Sequence, residues 1–190
     1  MNELVLGVAM VSAKVFGVLL LADFVSGVVH WMQDAYGKES WPLVGKYIFS
    51  PNVEHHFHPR RFTKSSFLKR NRIVGIIVIC IALVVMVSGG LNWMWLEFLV
   101  VSFLANEIHC WTHRSKRENG PVITWLQRYR VIQTPKMHAI HHTDPKNCSY
   151  CANTNLVNPV LDRMRFFERV EQVILALTGI KRNVDPSVKV

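Results

Sequence analysis

The stretch WMWLEFLVVSFLANEIHCWTH, residues 93–113, decides how the rest of the chain is read. Residues 93–108 are apolar except for Glu97, Asn106 and Glu107, and the stretch closes on two histidines four apart. An α-helix rises about 1.5 Å per residue, so about 20 such residues cross the roughly 30 Å of bilayer hydrocarbon. On that helix His109 and His113 project from one face. The reading is a helix that spans a membrane and delivers a pair of metal-ligand side chains at its end.

Two further segments have the same character. Residues 4–29 run nearly unbroken from Leu4 to Val29, interrupted by Lys14, Asp23 and a few small residues, and residues 73–91 carry no charge. Half of the 190 residues are hydrophobic, and the mean hydropathy is positive. The expectation is an all-α integral membrane protein with about three transmembrane helices, near 4–29, 73–91 and 93–109, and a fourth left open. A cleaved signal peptide at 4–29 is disfavoured, because Met1-Asn2-Glu3 lacks a positive start and the apolar run is too long.

The net charge of +9 is unevenly distributed. Of the 22 Lys and Arg, eight fall between residues 30 and 72 and thirteen after residue 113, whereas the turn at 88–95 has none. The positive-inside rule then puts both basic regions in the cytoplasm and the amino terminus and the 88–95 turn outside. All nine histidines, grouped as His30, His55/His56/His58, His109/His113 and His138/His141/His142, fall on the cytoplasmic face. Hydropathy alone required no such coincidence. That face is the cytoplasmic side of a bacterial inner membrane, or of the endoplasmic reticulum in a eukaryote. The basic excess reads as orientation and contact with anionic headgroups, and without a basic-aromatic module no nucleic-acid partner is expected.

Cys80, Cys110, Cys148 and Cys151 do not suggest a disulfide framework, since reduced cytoplasmic thiols are expected for the last three. Cys148 and Cys151 have CxxC spacing, but a zinc ribbon needs a second pair, so ordinary packing is expected. The chain reads as one domain, 1–190, without repeats. Pro121 and Pro135 frame an interfacial helix over about 121–134, with Val122, Trp125, Leu126 and Tyr129 on one face. Asn158-Pro159 opens a last helix over about 159–178, ending before Gly179. Its stripe Leu161, Met164, Phe167, Val170, Ile174 and Leu177 reads as packing, and the tail after Lys181 as disordered.

His138, His141 and His142 repeat the helical ligand spacing at i, i+3 and i+4, and Asp23, His30 and Asp34 fall seven and four apart. The neighbours His55 and His56 cannot share one helix face, so they serve different ions or one supports the other. Tetrahedral zinc takes four ligands and haem one or two axial histidines. Two iron ions, each with several nitrogen ligands and an open position for oxygen, account for the count better. That chemistry implies attack on unactivated C–H bonds of a lipid chain, as desaturation or hydroxylation.

The wording of these segments resembles a known family. DFVSGVVHWMQD (23–34), GKYIFSPNVEHHFHP (45–59), NEIHCWTH (106–113) and MHAIHHTDPKNCSYC (137–151) follow the histidine-box pattern of membrane desaturases and hydroxylases. In detail they are similar to the Kua/CarF family of lipid desaturases, which includes plasmalogen-forming plasmanylethanolamine desaturases and a plant chloroplast fatty-acid desaturase. The resemblance covers about residues 23–180. It implies a di-iron centre, O2 as co-substrate, a membrane phospholipid substrate and an external electron donor of cytochrome b5 or ferredoxin type. It places His30, His55, His56, His109, His113, His138, His141 and His142 as metal ligands. The family motif EHHxDP carries aspartate where this chain has His58, which leaves His58 open between ligand, supporting residue and surface residue. Asp34 matches an aspartate that could orient a ligand imidazole; Asp23 would do the same or pair with Lys14.

The expected reaction is the vinyl-ether double bond of a 1-O-alkyl phospholipid. Arg60, Arg61 and Lys64 are candidates to hold the phosphate, with a solvated loop as the plain alternative. An acyl-lipid desaturase or hydroxylase would use the same boxes, and a non-enzymatic metal-binding membrane protein is the reading from another class. No nucleotide-binding glycine fingerprint is present, so reducing equivalents must come from another protein.

Overall fold

The computed structural model describes residues 2–188, and no strand occurs among them. Met1 and the last two residues of the tail, Lys189 and Val190, lie outside the described residues. Helix α1 (Glu3–Tyr36) starts where the Asn2 side chain accepts the Leu4 N–H, and stops where the Gly37 N–H closes on Met32 and Gln33 carbonyls. Its 34 residues extend about 51 Å, more than a bilayer's hydrocarbon needs. The helix therefore continues past the expected boundary at residue 29, and His30 and Asp34 ride on the excess.

A π-helical turn (Gly45–Phe49) leads into α2 (Ser50–Phe57), followed by a short 3₁₀ turn at Phe62–Lys64. Helix α3 (Phe67–Val87) is capped by Ser66, and the turn after it has Gly89 at φ 72, a left-handed conformation that favours glycine. Asn92 caps α4 (Trp93–Thr112) by accepting the Met94 and Trp95 N–H groups. Helices α1 and α3 are long and apolar enough to cross a membrane. Helix α4 has 20 residues but carries Glu97 and Glu107 and does not meet the same standard of apolarity. It packs between the other two, against α1 on one side and α3 on the other. Leu4, Val8, Val11, Val15 and Phe16 on α1, and Ile79, Leu83 and Val84 on α3, are exposed, a surface that suits lipid chains.

Where α3 meets α4, Arg70 donates to both oxygens of Glu107, at 2.7 and 3.0 Å, and Asn71 donates at 2.6 Å. Charges this deeply buried persist only when paired and hydrogen-bonded. Glu107, which looked like a polar interruption of a span, is thus the clasp that sets α4 against α3 just before His109.

The second half is shorter-ranged. Helix α5 (Lys116–Arg128) opens with a reciprocal Ser115–Glu118 capping box and kinks at Gly120, φ 72, ahead of Pro121. It starts earlier and ends earlier than the expected 121–134 helix, because Arg130 at φ 58 ends it. Of the four residues expected on one face, Val122, Trp125 and Tyr129 are exposed and Leu126 is half-buried. Helix α6 (Pro135–His141) is capped by Thr134. The single helix expected over 159–178 is two, α7 (Val157–Arg163) and α8 (Phe166–Thr178), broken at Arg165 in the left-handed region. Leu161 and Phe167 are buried, with Val170 and Ile174 packed beside them, while Met164 and Leu177 are exposed. The core joins Trp31 and Ala35 of α1 to Tyr150, Cys151, Leu161 and Phe167.

The segment from 143 to 156 has no helix, yet Ser149, Tyr150, Cys151, Asn153 and Thr154 are buried. Its backbone groups are met by side chains, as buried amides must be. Asp162 takes the Ser149 N–H at 2.9 Å. Asn158 brackets Cys151, accepting its N–H and donating to its carbonyl, both at 2.8 Å, so Asn158 lies inside α7 and does not cap it. Asp23 accepts the Asn153 N–H at 2.8 Å, the Thr154 N–H at 3.1 Å and the Thr154 hydroxyl at 2.5 Å. Gly27 permits the approach, since a Cβ there would stand 2.5 Å from Cys151 Sγ and 3.1 Å from its backbone nitrogen. The four cysteines are free thiols, and Cys110 and Cys151 are buried.

The tail is ordered through the described residues. After Gly179 the chain turns back, the Asn183 N–H donating to Ala35 O at 2.7 Å and its side chain to Gly37 O at 2.8 Å. Arg182 pairs with Glu171 at 3.0 Å. The disorder expected after Lys181 on grounds of polarity does not hold for residues 182–188, because composition does not show partners such as Ala35 and Gly37, which lie far away in the chain.

Candidate metal centre

Four short pieces of helix end around one point. Helix α1 brings His30 and Asp34, α2 brings His55 and His56, the end of α4 brings His109 with His113 capping it, and α6 brings His138 and His141 with His142 at its cap. Their ligand atoms sort into two groups, each with all atoms within 4.8 Å of one another: His55, His109, His113, His138 and His142; and His30, Asp34, His56 and His141. The adjacent residues His55 and His56 fall in different groups, as do His141 and His142. Neighbours on a helix point about 100° apart, so one turn of α2 and one turn of α6 each feed both groups. The groups abut, with the His56 and His142 ring centroids 5.3 Å apart and those of His30 and His109 5.7 Å apart.

In the five-histidine group, His55 Nε2 lies 2.9 Å from His109 Nε2 and 3.1 Å from His142 Nε2. His109 and His113 are 3.3 Å apart, and His138 and His142 3.0 Å. Hydrogen bonding cannot account for this ring. A neutral imidazole Nε2 offers one proton or one lone pair, yet three of these nitrogens each face two others. A cation at the middle would resolve it. For metal–nitrogen bonds of about 2.1 Å, neighbouring ligands at right angles stand about 3.0 Å apart and tetrahedral ones about 3.4 Å. The observed edges, 2.9–3.3 Å, fall close to this range.

The second group is held differently. His30 Nδ1 bonds Tyr150 O at 3.1 Å, His141 Nδ1 bonds Cys148 O at 2.9 Å, and His56 Nδ1 bonds the Asp185 carboxylate. Each acceptor obliges the ring to carry its proton on Nδ1, so the three Nε2 lone pairs face inward. Asp34 Oδ1 accepts from Asn52 at 2.5 Å. Its Oδ2 stands 3.5 Å from His141 Nε2 and 3.8 Å from His30 and His56 Nε2. Asp34 Oδ2 and His30 Nε2 are buried without a hydrogen-bond partner. Orphaned polar atoms of this kind, pointing at one spot, fit a metal ion.

Burial and the neighbouring rings keep His55, His138 and His141 well below the ordinary imidazole range. The same causes lower His113 to about 4 and His142 to about 3. These rings are neutral near pH 7, the state in which imidazole binds metals. Burial alone would raise the Asp185 carboxyl, but the hydrogen bonds from His56 and Ser187 outweigh it and hold it below the usual carboxylate range. Phe62 walls the five-histidine group, its ring 4.7 Å from His55 and 5.2 Å from His109.

All eight histidines expected as ligands converge, and Asp34 joins them. His58 is exposed at the end of α2, outside both groups. Asp23 holds the 153–154 backbone, and among the described residues it touches no ligand imidazole and forms no ion pair with Lys14. Arg60 is paired with Glu118 at 2.8 Å, and Arg61 with Glu54, so two of the three cations proposed for a phosphate already have carboxylate partners, while Lys64 is exposed. Sequence reasoning missed Asp185, the Cys148 and Tyr150 carbonyls and Asn52. The turn-forming Asp185-Pro186-Ser187 was the one local signal available. The CxxC segment serves the centre through carbonyl oxygens, not sulfur.

Residues 19–185 match the family described as lipid desaturase domain. The chain is 33% identical to plasmanylethanolamine desaturase of Myxococcus xanthus over 180 residues, 90% of this chain and 62% of that protein. It is 32% identical to plasmanylethanolamine desaturase 1 of Mus musculus, covering 87% of this chain and 65% of the relative. Fatty acid desaturase 4-like 1 of Arabidopsis thaliana chloroplasts is 29% identical, over 86% and 56%. The chain thus spans about three fifths of the length of these relatives. No solved structure matches it.

Proposed function

The chain belongs to the lipid desaturase family, and from that premise we propose that it is a membrane-bound, O2-dependent di-iron desaturase that introduces the vinyl-ether double bond into a 1-O-alkyl phospholipid. The observation that carries this reading is the pair of adjoining ligand groups, five imidazoles in one and three imidazoles with a carboxylate in the other. A single zinc or haem iron has no use for nine such ligands. When bound, two iron ions supply the redox chemistry by which –CH2–CH2–, O2, two electrons and two protons become –CH=CH– and two water molecules. The electrons come from an external donor of cytochrome b5 or ferredoxin type.

The protein's own contribution is positioning. His30, Asp34, His56 and His141 hold one ion, and His55, His109, His113, His138 and His142 the other. The Tyr150, Cys148 and Asp185 acceptors keep three of those rings in the metal-binding tautomer. Phe62 and the exposed apolar flanks of α1 and α3 favour a lipid chain entering from the hydrocarbon side. In the proposed topology α1, α3 and α4 each cross the membrane, and the centre lies at the cytoplasmic interface. α1 and α4 both end at the centre, and α3 starts beside it. That placement favours bonds near the glycerol over bonds deep in the chain. Because α1 supplies two ligands, it is retained as part of the working protein.

A second reading, desaturation of an acyl chain, draws on the relatives named fatty acid desaturase. Lipid mass spectrometry of an ether-lipid-containing host, expressing the chain with and without His113→Ala, separates the two. Acid-labile vinyl ethers that depend on His113 are expected. A new double bond in an acyl chain would favour the second reading, a hydroxylated lipid would make the protein a hydroxylase, and unchanged lipids would refute both.

A further inference from the structure

Outside the ligands themselves, the most demanding feature is a carboxylate delivered from the far end of the chain. Asp185 is 7% exposed and lies 129 residues from the histidine it touches. One oxygen bonds His56 Nδ1. The other accepts the Ser187 N–H at 2.8 Å and the Ser187 hydroxyl at 2.5 Å. The tight Asp-Pro-Ser turn therefore presets the carboxylate before any ring is considered. Three ties bring the segment there: Asn183 to the Ala35 and Gly37 carbonyls, Arg182 to Glu171, and Arg182 to the Tyr150 hydroxyl at 3.4 Å. Ala35 and Gly37 lie one and three residues after Asp34, so the strap is anchored beside a candidate ligand.

Strap residues also line two cavities that reach His56. One of about 370 Å³ is lined by His56, His142, Lys146 and Ser187. The other, of about 340 Å³, is lined by Asp34, Asn52, His56 and Asp185. Of the three acceptors that hold ligand rings in this group, two are backbone carbonyls of the 148–150 segment. Asp185 is the sole charged one and the only one on a side chain.

We infer that Asp185 is a positioning residue for the His30/Asp34/His56/His141 position, and that residues 180–187 form the strap that carries it onto His56. It acts through the ring: by accepting the Nδ1 proton it aims the Nε2 lone pair inward and makes that nitrogen more basic toward a cation. Such outer carboxylates typically change metal affinity 10–100-fold. The inference rests on the two-ion reading above, but reads out separately from it.

The test uses the full chain in detergent or nanodiscs, stripped of metal and titrated anaerobically with ferrous iron against a competing chelator. Iron per chain and the unfolding temperature of the metal-free protein are both measured. Wild type is expected to take two ions. Asp185→Ala should take one as before and bind the second 10–100-fold more weakly, with the metal-free unfolding temperature moved by no more than about 4 °C. Asp185→Asn keeps an acceptor for the ring proton without the charge, and should fall between. Two ions bound by Asp185→Ala with unchanged affinity would overturn the inference. So would loss of both ions together with a large drop in metal-free stability, which would make the strap merely structural. If wild type itself takes fewer than two ions, the two-ion reading fails first and this one with it.

Discussion

Asp23→Asn separates two accounts of a buried carboxylate in the middle of α1. Both oxygens of Asp23 act only as acceptors, one for the Asn153 N–H and the other for the Thr154 N–H and hydroxyl. Asparagine has a single acceptor oxygen. With that oxygen kept on Asn153, its NH2 group faces the Thr154 N–H, donor against donor, while the Thr154 hydroxyl can turn and accept. One charge-assisted bond is lost, worth about 1.5–3 kcal/mol, and a buried N–H is left unsatisfied, about 1–3 kcal/mol. The two overlap in part, so about 2–4 kcal/mol is expected, or a fall of about 4–16 °C in the unfolding temperature for a chain of this size. Thermal unfolding of the metal-free protein in detergent reads it. The same variant should loosen the 148–150 carbonyls that hold His141 and His30, and so weaken iron binding at that position. Lys14→Ala is the control: it should stay within about 0.5 kcal/mol of wild type. Asp23→Asn within about 0.5 kcal/mol of wild type, or Lys14→Ala matching its loss, would refute the assignment.

Two further outcomes follow from the geometry. Gly27→Ala forces a methyl group against Cys151 Sγ and its backbone and should cost about 1–3 kcal/mol, measured by the same unfolding assay. Cys151→Ala in the Gly27→Ala background should recover only part of it, because the backbone contacts at 3.1 and 3.2 Å remain. The metal-free protein should also lose stability as pH falls from about 6.5 toward 4. His113 and His142 are lowered to about 4 and about 3 when folded, so across that window the unfolded chain binds more protons. Each such ring contributes about 1.4 kcal/mol per pH unit at most, with the loss flattening below its folded value. A pH-independent unfolding temperature between 7 and 4.5 would show that these rings are not buried as described.

The helical class, the apolar segments and the eight histidines that converge were legible because each has a local cause. Hydropathy over about 20 residues and ligand spacing of three or four along a helix need no knowledge of the rest of the chain. Glu107 shows the limit of that reading. In sequence it interrupts a span, whereas beside Arg70 and Asn71 it joins two helices. The same limit applies to His58, which has ligand chemistry and motif company but lies on the outside of the last turn of α2.

Composition and periodicity were enough to tell which residue types were available for a metal and that they gather at the ends of apolar helices, since periodicity records the face a side chain leaves from. Which histidines fall in the same group was decided only by packing. His55 and His56 diverge by one helical step, and only the positions of α1, α4 and α6 turn that step into membership of different groups. The same holds for Asp185, reached through a strap whose anchors on Ala35 and Gly37 are backbone carbonyls far away in the chain. Contacts that close loops of more than a hundred residues leave no periodic trace, because their geometry exists only once the helices have docked.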